Sequence, residues 1–215
     1  MHKYTFLLPL LLVFTFSCNA HATRSASLVM PLSASGDATF TDVDGDDSPE
    51  QAIDYTGVGF RYEERTDDVG IGVEFTPSAN YDFTESDSNS EASGTEVGVF
   101  ARKYWPIGRS MGSSIHSRGG QALIFIEAGT IFGLGMDLSA DGYADESSSA
   151  YTNLRLAIGS RMAFNGSMFA EIGAGFTQAI SPATFTLNDG FGTLDYDVDL
   201  STSTFGINVG LGMNF

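Results

Sequence analysis

The sequence predicts an all-β protein, an eight-stranded antiparallel up-and-down transmembrane β-barrel preceded by a cleaved signal peptide. Three observations carry that prediction. Residues Phe205 to Phe215 alternate apolar with small or polar side chains and stop on an aromatic, the period-two pattern of a strand with one greasy face. Glycines and mid-strand charges collect on the opposite face of most such segments. The links between segments alternate short and long, as in barrels with turns on one side of a membrane and loops on the other. An open sheet ending on such an edge would invite aggregation. A closed barrel with that face on lipid has no free edge.

The leader comes first. Met1-His2-Lys3 is a short basic start, Phe6 to Phe16 is almost wholly apolar, and Ala20-His21-Ala22 is a small-x-small cleavage site. A spanning helix needs about 20 apolar residues, so residues 1–22 read as a secretory signal peptide. Cys18 offers the rival reading of a lipid-modified N-terminus. Against it, Phe16 is bulky where such signals carry a small or slender residue. The remainder, 23–215, is one barrel domain without cysteine, so disulfides cannot hold it. Nothing in it is apolar for long enough to make a membrane helix; the 25 glycines and 12% aromatic content suit strands and turns.

The eight segments are 27–40, 53–63, 69–83, 95–105, 121–136, 149–163, 167–187 and 193–215. An even number puts both termini on one side. Pro31 interrupts the first segment. The links Glu64 to Asp68 and Asn165-Gly166 are tight, the second being the dipeptide of a type I′ hairpin turn. The links after segments one, three, five and seven are longer and polar, while 106–120 is long where a short turn is expected.

Each segment then sorts into two faces. One carries residues such as Phe60, Ile71, Val73, Val99, Ile126, Leu156 and Ile172, and suits lipid. The other carries glycines together with Arg61, Arg102, Arg155 and Arg161, and Glu74, Glu96, Glu127 and Glu171. An eight-stranded interior is only wide enough for side chains, so glycines relieve crowding there. Charges in so small a lumen must be paired, and four of each sign form a balanced network. The segments that alternate on either side of Asn188-Asp189-Gly190 also predict a hairpin extending beyond the membrane.

The net charge is −17, and the leader holds only one charge, Lys3. The excess acids cluster in the long links, for example Asp42, Asp44, Asp46, Asp47 and Glu50 in the first. That sign argues against a nucleic-acid partner. Oxygens at alternate positions make Asp42, Asp44, Asp46 and Asp47 weak candidates for Ca²⁺ or Mg²⁺. An EF-hand would need Gly and Glu where Asp47 and Ile53 stand. No cofactor motif occurs, and no cofactor is expected. Lys103, Arg109 and Arg118 mark the other end, with Tyr104 and Trp105 at a membrane boundary.

On Ala20-His21-Ala22, the alternating strands and the terminal segment ending in Phe215, the chain resembles the small eight-stranded outer-membrane barrels of Gram-negative bacteria. These are the transmembrane domain of outer membrane protein A, the OmpX and Ail group, and "outer membrane protein beta-barrel domain" members. The resemblance implies a monomer in outer-membrane lipid and lipopolysaccharide, with extracellular loops and periplasmic termini. It also implies insertion by the barrel-assembly machinery, with Phe215 as the assembly signal. The expected function is structural or surface-interacting, with acidic extracellular loops and an unnamed extracellular ligand. A narrow porin-like channel is the alternative. A lipid A-modifying enzyme is a second one, because some barrels of this family are acyltransferases or deacylases. Such an enzyme needs Ser, His and an acid together. The one histidine beyond the leader is His116, beside Ser117, in the link expected on the periplasmic side. No residue is assigned as catalytic.

Overall fold

The structure, a computed structural model, describes residues 22–42, 44–84, 90–107, 122–139, 146–164, 167–188 and 195–215. It contains β1 (Thr23–Asp42), β2 (Gln51–Gly57), β3 (Gly59–Thr66), β4 (Val69–Phe83), β5 (Ser90–Pro106), β6 (Ala122–Ser139), β7 (Glu146–Ser147), β8 (Tyr151–Ala163), β9 (Met168–Ser181), β10 (Ala183–Asn188) and β11 (Asp195–Asn214). All the pairings are antiparallel, and β11 pairs with β1 from Ser25↔Asn214 to Asp42↔Val198, closing the ring. β2 with β3, β7 with β8, and β9 with β10 each make one stave, because each pair shares a neighbour. Eight staves result. Residues 1–21, where a signal peptide is expected, the 108–120 part of the long link, the Asn165-Gly166 turn and Asp189-Gly190 of the expected hairpin lie outside the described residues.

The first segment is longer than Pro31 suggests. At about 3.3 Å per residue, the 20 residues of β1 run roughly 66 Å. A membrane-spanning strand needs only about 9–11 residues, so half of β1 lies beyond the apolar belt. Pro31 is accommodated because β1 bulges beside it: Pro31 faces Asn208 and Ser33 faces Ile207, leaving Leu32 unpaired. Similar slips place an extra residue within Pro77-Ser78 of β4, within Leu134-Gly135 of β6 and at Ile180 of β9. Gly135 there adopts φ 132°, which an L side chain rarely tolerates.

These bulges sit where the outward apolar residues of their strands end, and each reverses which alternate residues of its own strand face inward. In β1, even positions such as Leu28 and Met30 face outward below Leu32; above it, Ser35 and Asp37 do. The same reversal in β4 and β6 carries Ala79, Tyr81, Phe83 and Met136 into the interior. The loop-end half therefore has an apolar core, in which Ile53, Tyr81, Phe83, Tyr151, Phe185 and Leu200 are buried. Its outer surface is polar. The turn-end half has the opposite arrangement, with a charged interior and an apolar exterior from Phe60 to Met213.

Candidate functional site

The charged interior holds the candidate site to which the sequence points. Inward positions alternate along each strand, which brings Arg61, Glu63, Glu74, Arg102, Glu127, Arg155, Arg161 and Glu171 into one chain of ion pairs. Glu127 is the hub. Its carboxylate accepts from Arg102 Nε at 2.7 Å, lies 2.8 Å from Arg155 Nε, and stands 3.3 Å from Arg61 Nη1. Arg102 also donates through Nη1 to Glu171 at 2.9 Å, and Arg155 Nη1 reaches Glu74 at 3.0 Å. Arg61 pairs with Glu74, and Arg161 pairs with both Glu171 and Glu63. The guanidiniums also lie over rings, Arg102 over Phe125 and Arg161 over Phe169, each 4.2 Å from the centroid. Burial of so many charges is tolerable because each has an opposite partner, and Arg61, Arg102 and Arg161 add cation–π contacts.

Two features differ from the sequence reading. Glu63 belongs to the network, held by the Tyr104 hydroxyl at 2.7 Å as well as by Arg161. Its position two residues beyond Arg61 signals this. Gly70, paired with Arg65 on the neighbouring strand, leaves the space: a Cβ there would come within 1.9 Å of Glu63 Oε1. Glu96, by contrast, has no guanidinium partner. Its carboxylate accepts three phenolic hydroxyls, from Tyr81 and Tyr151 at 2.8 Å and from Tyr55 at 3.2 Å. Tyr151 reaches it across Gly133, where any Cβ would fall 1.8 Å from the tyrosine ring. So the four-to-four arginine–glutamate set becomes four arginines with four glutamates, plus Glu96 in a tyrosine cage.

Little space remains. The two cavities bordering the network measure about 60 Å³ and 20 Å³, room for a few waters. Above the cage, Phe83, Phe185 and Leu200 close the interior. The arrangement can lock the staves together, and neither of these two cavities has room for a hydrated solute.

The loop-1 aspartates do not converge on a common point. Asp42 Oδ1 accepts from the backbone N–H of Asp44 at 2.9 Å and of Asp46 at 3.0 Å, while Asp47 accepts from Thr41 at 2.7 Å. No group of three or more metal-ligating side chains occurs among the described residues. His116 and Ser117 lie outside the described residues. At the turn end, Lys103 donates to Asp68, holding its carboxyl below the usual range.

AlkL, solved by solid-state NMR in lipid bilayers, is similar to this chain with a TM-score of 0.55 at 10% identity, over 91% of this chain and 90% of that one. OprG from Pseudomonas aeruginosa is similar with a TM-score of 0.50 at 13% identity, over 89% and 93%. The fold is that of the small outer-membrane barrels. Such a barrel leaves its activity to be argued from its own residues. No family model and no curated protein matches the sequence.

Proposed function

We propose that this protein is a non-conducting outer-membrane barrel that carries an acidic, independently cored β-extension on the cell surface, where it acts in structure or surface interaction. One observation carries the reading: the bulges that end the lipid-facing belt also give the protruding half its own apolar interior and polar exterior. A simple pore has no need of that construction. In this reading the belt sits in the outer membrane, the loop end is extracellular and the termini are periplasmic.

The extension offers acids on its outer face, including Asp37, Asp54 and Glu91, all exposed. Its charge suits cationic surfaces and divalent-bridged lipopolysaccharide better than polyanions. The packed lumen weighs against the channel alternative. The test compares cells displaying the native barrel with cells displaying an Asp37→Asn, Asp54→Asn, Glu91→Gln variant at equal levels. The native barrel should raise adhesion to a polycation-coated surface above that of the variant. Equal adhesion would count against a surface-interaction role.

A further inference from the structure

The wall of the barrel has one weak seam, between β1 and the β2–β3 stave. β1 pairs with β3 up to Val29↔Gly59 and with β2 only from Ser35↔Asp54 onward. Residues 30–34 thus face 55–58 with no register pairs between them. The stave itself breaks at Val58, and β4 on its far side bulges at Pro77-Ser78. Backbone polar groups without ladder partners are costly against hydrocarbon, so something polar is needed at this point.

Cavities lie on both sides of the seam. Outside, a groove of about 450 Å³ is lined by Met30, Val58 and Pro77, with Thr56 and Asn80 at its polar end. It continues the apolar belt through Met30, Val58 and Phe60, all exposed, and its volume falls in the roughly 300–1,000 Å³ range of small-molecule sites. Inside lies the 60 Å³ chamber, lined among others by Tyr55, Arg61, Glu74, Thr76, Glu96 and Arg155. Pro31 and Gly57 line both spaces, so both residues stand in the wall between them. Arg155 is buried, and its Nη2 has no hydrogen-bond partner.

We propose that this seam binds a single-chain amphiphile with an uncharged polar head, its chain in the outer groove and its head reaching between Pro31 and Gly57 into the chamber. The surroundings select both parts. The groove opens on lipid, so an alkyl chain enters without leaving hydrocarbon. The chamber holds two guanidiniums and two carboxylates, so a head of either charge would be desolvated without net compensation. A hydroxyl or ester loses little on desolvation and can hydrogen-bond to the polar side chains that line the chamber. The inference concerns the lipid-facing wall, so its failure leaves the surface role of the loops untouched.

The test uses the full barrel in phosphatidylcholine vesicles, photolabelled with a trace of diazirine-tagged dodecanol. Labelling should concentrate several-fold at Met30 and at Thr56–Val58 relative to Leu156 and Ile158 on the opposite wall. Excess dodecanol should compete it away, while dodecanoate and dodecylamine compete less. Gly57→Val should reduce labelling, because a Cβ there meets the Ser78 carbonyl at 3.0 Å and Thr76 at 3.2 Å. Even labelling around the belt would overturn the proposal, as would equal competition by all three compounds. Both readouts are made on the native sequence, so they stand even if the variant fails to fold.

Discussion

The Tyr81 hydroxyl donates to Glu96 at 2.8 Å at the level where the interior changes from charged to apolar. Tyr81 points inward only because β4 has gained a residue at Pro77-Ser78. Without that bulge the tyrosine would face outward and Glu96 would lose a donor. One backbone irregularity thus sets both the burial of a carboxylate and the start of the apolar core.

A hydrogen bond to a charged group contributes about 1.5–3 kcal/mol, so Tyr81→Phe should destabilise the barrel by an amount in that range. In a double-mutant cycle with Glu96→Gln, measured by denaturant unfolding from vesicles, the two changes should couple. Strict additivity would mean that the cage contributes nothing.

Glu127 compensates three guanidiniums, and stripping one partner from a buried pair costs about 3–5 kcal/mol. Glu127→Ala should therefore cause one of the largest losses of any single lumen substitution in the same unfolding assay. Asp68→Ala, at the exposed pair with Lys103, should leave stability unchanged within error.

Leu32 is the one unpaired residue of the β1 bulge, so deleting it lets the pairs from Ser33↔Ile207 to Asp42↔Val198 keep their register and faces. Ala38 should stay buried, and the loop-end half should resist limited proteolysis of intact cells as the native barrel does. New cleavage sites in that half would show that the bulge itself sets the register above it.

Phe185 is fully buried in the loop-end core. Removing a buried aromatic costs about 3–5 kcal/mol, so Phe185→Ala should raise hydrogen exchange across β10 and the upper part of β11. Exchange in the turn-end half, held by its own ion-pair network, should stay at its native rate.

Much of the lower barrel was legible in the sequence. The segment 69–83 coincides with β4, and Arg61, Arg102, Arg155, Arg161, Glu127 and Glu171 are buried in the structure, with Glu74 half-buried beside them. Parity fails above the belt, because a bulge reverses it and leaves no residue-type signal beyond a Pro or Gly near the slip. Hence Pro31 reads as an interruption, although it flanks a bulge in an unbroken strand. Glu96 illustrates the same limit from the other side. Its inward direction follows from alternation, but its partners Tyr55, Tyr81 and Tyr151 come from three other staves. Register alone brings them together.

The central claim is a barrel whose lumen is filled by paired charges and closed above by an apolar core. Single-channel recording of the purified barrel in a planar bilayer tests it most directly. Negligible current without unitary steps is predicted for the native protein, and equally for Glu127→Gln and Arg155→Gln. Reproducible unitary steps from the native barrel, altered in size by either substitution, would contradict it.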